Sequence, residues 1–215
     1  MTETTPETNR SELEAEFERA WADTAYTPAQ PPDHDVNQVL SARYRTSKPL
    51  VFTRTVLWDV EVHKAYNPGE YIPFVVLAGS TRVWGRRADD SGEYFLRSSE
   101  QRLWLRPDEY GAVLERVHLD HREQKATFIG STALTDADDH HVRAGTGQPI
   151  FHVEHSVGGS ETRPLNRWRI VHLTRAVDDR LLEVFSSMAQ EAWLPEYIEI
   201  YIRRDLDVEL SRREP

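Results

Sequence analysis

Between residues 81 and 174 the chain offers one strand pattern after another with almost no helical signal, and this constrains the fold more than any other feature. Strand candidates follow one another at Thr81–Arg86, Glu93–Leu96, Gln101–Leu105, Ala112–Leu119, Lys125–Ala133, Ile150–Val157 and Arg167–Thr174. Turn chemistry separates several of them, at Asp89-Asp90-Ser91-Gly92, Asp120-His121-Arg122-Glu123 and Gly158-Gly159-Ser160. Parallel strands need long crossovers, and none are available here. The expectation is therefore an antiparallel barrel or a strongly curved antiparallel sheet.

Upstream, Phe52, Arg54, Val56, Trp58, Val60 and Val62 alternate with Thr53, Thr55, Leu57, Asp59, Glu61 and His63, which predicts a first, half-buried strand. Asn67-Pro68-Gly69 reads as a turn before the apolar stretch Tyr71–Leu77. Helices are expected at Ser11–Ala22, Val36–Tyr44 and Asp178–Ala192. Ser11 and Glu14 fit a capping box, and Leu13, Phe17 and Trp21 form a stripe on the first helix. Such a stripe reads as a docking face on the body or on a partner subunit, which leaves a homodimer open; the alternative is a lid over a pocket. With a polar tail at residues 1–9 and the proline-stiffened linker Thr27–Asp33, residues 1–47 make an appendage and residues 48–215 a single β-barrel domain. The predicted fold is mainly β, with an N-terminal helix and one helix before the last strand.

Charge sharpens that division. The chain carries a formal charge of −10, and residues 1–35 alone hold nine acids against Arg10 and Arg19. The rest is nearly balanced. An acidic total argues against nucleic acid as the main partner. No cysteine is present, so disulfides and thiolate sites are excluded. No apolar run reaches membrane-spanning length, and no basic segment precedes an apolar one near Met1, so a cytoplasmic protein without a membrane partner is expected. There is no phosphate loop, dinucleotide fingerprint or nucleophile elbow, and no organic cofactor is expected.

Polar residues on apolar strand faces are the place to look for chemistry. Arg54 stands among Phe52, Val56 and Trp58, where a guanidinium suits a carboxylate ligand or an internal ion pair. His155 shares a face with Phe151, Val153 and Val157, and His172 shares one with Trp168 and Ile170. If both faces point inward, the two histidines enter one interior, as proton-transfer groups or as hydrogen-bonded core residues. His152 and His155 fall on opposite faces of a strand and cannot share a metal. His140 and His141 lie in a polar loop with Asp136, Asp138 and Asp139, and no metal is expected.

The first predicted strand, Val51-Phe-Thr-Arg-Thr-Val-Leu-Trp58-Asp-Val-Glu61, and the late segment Trp193-Leu-Pro195-Glu196-Tyr197-Ile-Glu199-Ile200-Tyr-Ile202 resemble the opening and closing strands of the phenolic acid decarboxylases, members of the calycin (lipocalin-like) barrels. The resemblance implies a calycin-like antiparallel barrel with a pocket, and it places Arg82 where that family keeps an arginine for its carboxylate substrate. Phe52 and Arg54 stand in place of the family's paired tyrosines, Val60 in place of the next, and Arg106 near the position of its catalytic glutamate. What it implies here is a pocket for an anionic or conjugated small molecule rather than that family's reaction. The expectation is a cofactor-independent lyase, isomerase or cyclase. In it Arg54 and Arg82 anchor the substrate, His155 or His172 moves protons, and Phe52, Trp58, Trp104 and Trp168 wall the site. Two alternatives stand beside it: a non-catalytic ligand-binding calycin, and a START-like helix-grip aromatase/cyclase. In the helix-grip case residues 194–210 would form a helix with Leu194, Ile198, Tyr201, Leu206 and Leu210 on one face.

Overall fold

The predicted hairpins form and join into an eight-stranded antiparallel sheet. The computed structural model describes residues 10–90, 92–189 and 193–213; the expected tail, Ser91 and the predicted helix end at 190–192 lie outside them, as do the side chains of Arg10, Ser11 and Ala189. The chain begins with α1 (Arg10–Ala22), β1 (Thr27–Ala29), β2 (His34–Asp35), α2 (Val36–Arg43) and β3 (Tyr44–Thr46). It continues through α3 (Arg54–Tyr66), α4 (Pro68–Tyr71), β4 (Arg82–Asp89), β5 (Gly92–Leu103), β6 (Arg106–Asp120) and β7 (Lys125–Ser131). The last part holds β8 (Ala133–Thr135), β9 (His141–Arg143), β10 (Phe151–Ser160), β11 (Arg163–His172), α5 (Asp179–Ala189), α6 (Glu196–Arg204) and β12 (Leu210–Arg212).

The sheet order is β1-β11-β10-β7-β6-β5-β4, with β2 also on β11. Its two edges, β1 and β4, do not pair, so the sheet is open rather than the expected closed calycin-like barrel. The reason lies in two segments. Residues 52–63, expected as the opening strand, fall almost entirely within the helix α3. Most of residues 193–202, expected as the closing strand, lies in the helix α6.

Both helices have local causes. Thr53 caps α3 by accepting from the Val56 amide, and Asn67-Pro68 ends it. Leu57, Trp58, Glu61, Lys64 and Ala65 then fall on one buried helical face, a pattern that the short period-2 alternation concealed. In α6, Tyr197, Ile198, Tyr201 and Ile202 are buried at helical spacing. Glu196 and Glu199 sit in its first turn and Arg203 and Arg204 in its last, favourable ends for a helix dipole. The helix is shorter than the helix-grip alternative expected, because the chain turns after Arg204 and Leu210–Arg212 pairs with β3.

The main core lies between α3, α6 and the sheet's inner face, with Phe52, Leu57, Trp58, Val60, Phe95, Val117, Leu119, Ala126 and Ile198. On the outer face, Leu13, Phe17 and Ala20 of α1 pack on Ile129 and Val171. Helix α1 therefore covers the back of the sheet and does not cap the site described below, whereas Pro31 and His34, farther along the same appendage, do line that site. Glu14, Glu16 and Glu18 meet Lys125, Arg116 and Arg169 at 3.0, 2.6 and 2.7 Å. Among the described residues no helix is long and apolar enough to cross a membrane.

Candidate active site

Alternation along the strands decides which side chains enter the interior. Direct pairing puts His155 opposite Trp168, Val153 opposite Ile170 and Phe151 opposite His172 on β10 and β11. The same face continues through Phe128 on β7, Glu115 on β6 and Arg97 and Gln101 on β5. Above this face a cavity of about 420 Å³ opens beneath α3, α5 and the start of α6. Trp104, Phe128, Phe151, Trp168, Met188 and Trp193 supply much of its wall. The volume falls in the range that accommodates small-molecule ligands.

Lys64 of α3 and His155 of β10 stand at the polar end of the cavity, with Glu61 buried behind Lys64. Glu61 and Lys64, one helical step apart, both face inward, with side chains 0% and 5% exposed and Nζ 2.5 Å from Oε2. Lys64 Nζ also donates to His155 Nδ1 at 3.2 Å and sits 3.8 Å above the ring of Tyr197. The imidazole stacks on Trp168, with ring planes 9° apart, and its Nδ1 lies 3.5 Å from Glu61. The hydroxyl of Tyr197 accepts from Asn166 Nδ2 at 2.6 Å. Beside this group, Arg97 forms a two-armed contact with Glu115 at 2.9 and 2.6 Å and donates to the Ala65 carbonyl near the end of α3.

Burial shapes the electrostatics. It pulls the Lys64 ammonium below the ordinary lysine value; the Glu61 carboxylate opposes this and Arg97 adds to it. Burial first, then Lys64 and Arg97, hold His155 well below the ordinary histidine value, so its ring is neutral near pH 7. Burial and the Glu61 carboxylate push the Tyr197 phenol well above its usual value, while Asn166 opposes. Each interior cation has its own carboxylate in contact. The cavity therefore has no spare positive charge, and the exposed Glu196 adds an acid to its lining.

Of the residues singled out from sequence, His155, Trp104 and Trp168 line this cavity. Arg54 is at the first turn of α3, where it donates to the Val157 carbonyl at 3.1 Å rather than standing on a strand face. Phe52 is fully buried in the core, and the Trp58 indole donates to His121 Nδ1 at 3.1 Å; neither lines the cavity. Arg82 is exposed on β4 beside a separate surface groove, because β4 is the open edge of the sheet and not a barrel wall. His172 does share the inner face, but four residues along β11 from Trp168 separate it from His155 by roughly 13 Å of strand. It packs between Phe151 and Phe185. Glu61, Lys64, Arg97, Glu115, Asn166 and Tyr197 were missed. The available signals were the inward Arg97 and Glu115 and the three-residue spacing of Glu61 and Lys64.

Asp136, Asp138 and His140 bring three potential metal ligands within 4.8 Å at the β8–β9 turn. One Asp136 oxygen already accepts from the amides of Asp138 and His140, as in an ordinary turn.

No family model matches the chain, and no curated protein matches it. Solved structures that resemble it include the Zhui aromatase/cyclase from Streptomyces sp. R1128, at 11% identity over 82% of this chain and 95% of that one, with a TM-score of 0.49. The truncated norcoclaurine synthase from Thalictrum flavum matches at 10% identity over 86% of this chain and 98% of that one, with a TM-score of 0.43. The ginseng major latex-like protein 151 from Panax ginseng matches at 11% identity over 68% of this chain and 94% of that one, with a TM-score of 0.37. Likeness at this level assigns neither family nor activity to the chain.

Proposed function

We infer that the protein is a cofactor-independent enzyme of the cyclase or isomerase type, acting by proton transfer on a neutral, conjugated, carbonyl-bearing small molecule. The observation that carries this reading is the buried Glu61–Lys64–His155 cluster at the polar end of an aromatic cavity. Aromatic walls favour a flat conjugated skeleton. Lys64 engages the carbonyl, the neutral His155 moves protons to and from the reacting end, and Glu61, buried behind Lys64, exchanges a proton with Nζ. Ion pairing of Lys64 and Arg97 favours a neutral substrate over the carboxylate that the sequence suggested.

Benzylideneacetone, a neutral conjugated ketone with exchangeable methyl protons, tests this directly. Quenching of the cavity tryptophans is expected on binding, at least tenfold tighter than for cinnamate. Proton exchange in deuterated water, followed by NMR, is expected to be protein-dependent. His155→Gln should slow exchange by roughly a hundredfold or more, the usual contribution of a general acid–base group, while changing binding little. Binding without exchange would support the ligand-carrier alternative, and tighter binding of cinnamate would overturn the neutral-substrate reading.

A further inference from the structure

The chain uses 23 arginines but only three lysines, Lys48, Lys64 and Lys125. Lys48 is an exposed residue donating to the Leu206 carbonyl, and Lys125 pairs with Glu14 on the outer face. Lys64 alone of the three is buried, and it alone lines the cavity. Arginine could serve as the cationic half of a buried ion pair, as Arg97 does with Glu115 in the same cavity. What arginine cannot supply is a primary amine able to lose its proton and act as a nucleophile.

We propose that Lys64 is a covalent capture site whose Nζ forms an imine with a neutral aldehyde or ketone seated in the aromatic cavity. This rests on the reading of the cavity as a site for neutral carbonyl compounds and specifies how that carbonyl is held. The ammonium passes a proton to the Glu61 carboxylate, 2.5 Å away, and leaves a neutral amine. The amine lone pair adds to the carbonyl carbon, and the nitrogen proton moves to the oxygen to give a carbinolamine. The C–O bond then breaks as the hydroxyl takes the proton held by Glu61. It leaves as water, and the remaining nitrogen proton returns to Glu61 or passes to His155 Nδ1, on the side of Nζ where the two already touch. The net change is carbonyl plus amine to imine plus water, without oxidant or reductant. Desolvation favours the neutral amine here, and the groups facing it are Glu61, His155 and Tyr197, with Arg97 and Glu115 beyond.

The test is reductive trapping at pH 7 with cinnamaldehyde and sodium cyanoborohydride, read by intact mass and peptide mapping. An ordinary lysine keeps only about four amines in ten thousand unprotonated at that pH. The expected result is a reduced adduct on Lys64, with labelling at least tenfold above Lys48 and Lys125, competed away by benzylideneacetone. Lys64→Arg should lose the adduct. The Glu61→Leu, Lys64→Met double variant removes the charged pair together and provides a second adduct-free protein if the single variant does not fold. Tryptophan quenching without a Lys64 adduct would overturn covalent capture while leaving the proposed function intact. Absence of both quenching and adduct would overturn both, and equal labelling of the three lysines would reduce Lys64 to a structural cation.

Discussion

Each face of the sheet is covered by a helix that brings acidic residues to meet basic ones, yet the two arrangements differ in kind. On the outer face, α1 lays its apolar stripe on Ile129 and Val171, and its glutamates reach partly exposed Arg116, Lys125 and Arg169. On the inner face, α3 buries Glu61 and Lys64 almost completely, beside a cavity instead of a packed surface. Exposed ion pairs contribute little net stability, whereas a buried pair repays its desolvation only with good geometry. The outer charges orient a helix that apolar contacts hold. Of the inner charges Lys64 lines a ligand-sized cavity with Glu61 directly behind it, and that placement is the structural argument that they serve chemistry.

The largest break in the comparison should come from splitting the inner pair. Glu61→Leu leaves Lys64 buried without its carboxylate, and about 3–5 kcal/mol of stability should be lost in chemical denaturation. Adding Lys64→Met should restore most of it, since an apolar pair of similar size is often neutral or better in such a place. A loss below 1 kcal/mol for the single variant would mean that the inner pair behaves like the outer ones.

The same contrast explains what could be seen in the sequence. Strands β5, β6, β7, β10 and β11 were legible because apolar runs of strand length stand between turn signals; burial alternates cleanly in β5, whereas β7, covered on its outer face by α1, is buried on both sides. His155 and Trp168 were placed on inward faces, and their pairing opposite each other follows. The polar end of the site was not legible, because it stands on α3. There Val56, Val60 and Val62 satisfy a period of two and hide the helical set Leu57, Glu61, Lys64 and Ala65. The Thr53 cap at one end and Asn67-Pro68 at the other were the better guide, since together they mark the start and stop of a helix. Arg54 and Arg82 drew attention as polar residues on presumed barrel walls, and neither wall exists.

His172 extends the inner-face pattern to a histidine outside the cavity. It is fully buried against Phe151 and Phe185, and neither ring nitrogen has a hydrogen-bond partner. Burial lowers its pKa from 6.5 to about 4, with Asp178 weakly opposing. The folded state thus binds this proton more weakly than the unfolded state. The contribution to stability is intact above pH 6.5 and is lost as pH falls toward 4. The loss should approach about 3 kcal/mol below that range, seen as the difference between wild type and His172→Leu across a pH series of unfolding curves. Parallel curves for the two proteins would show that His172 does not titrate differently on folding.

The smallest effects belong to the outer face. Glu16→Gln and Glu18→Gln remove the carboxylates facing Arg116 and Arg169, and each should cost less than about 1 kcal/mol. Arg169 retains Glu154 at 2.9 Å and stays over the rings of Phe17 and Trp21, so loss of Glu18 leaves it neither unpaired nor unpacked. Salt supplies the sharper version. At 1 M the screening length shrinks to about 3 Å, so the cost of these substitutions should largely vanish, while the penalty for splitting Glu61 from Lys64 should persist. If salt erased both penalties alike, the inner pair would be in contact with bulk water, and the distinction between an orienting surface and a desolvated reaction site would fail.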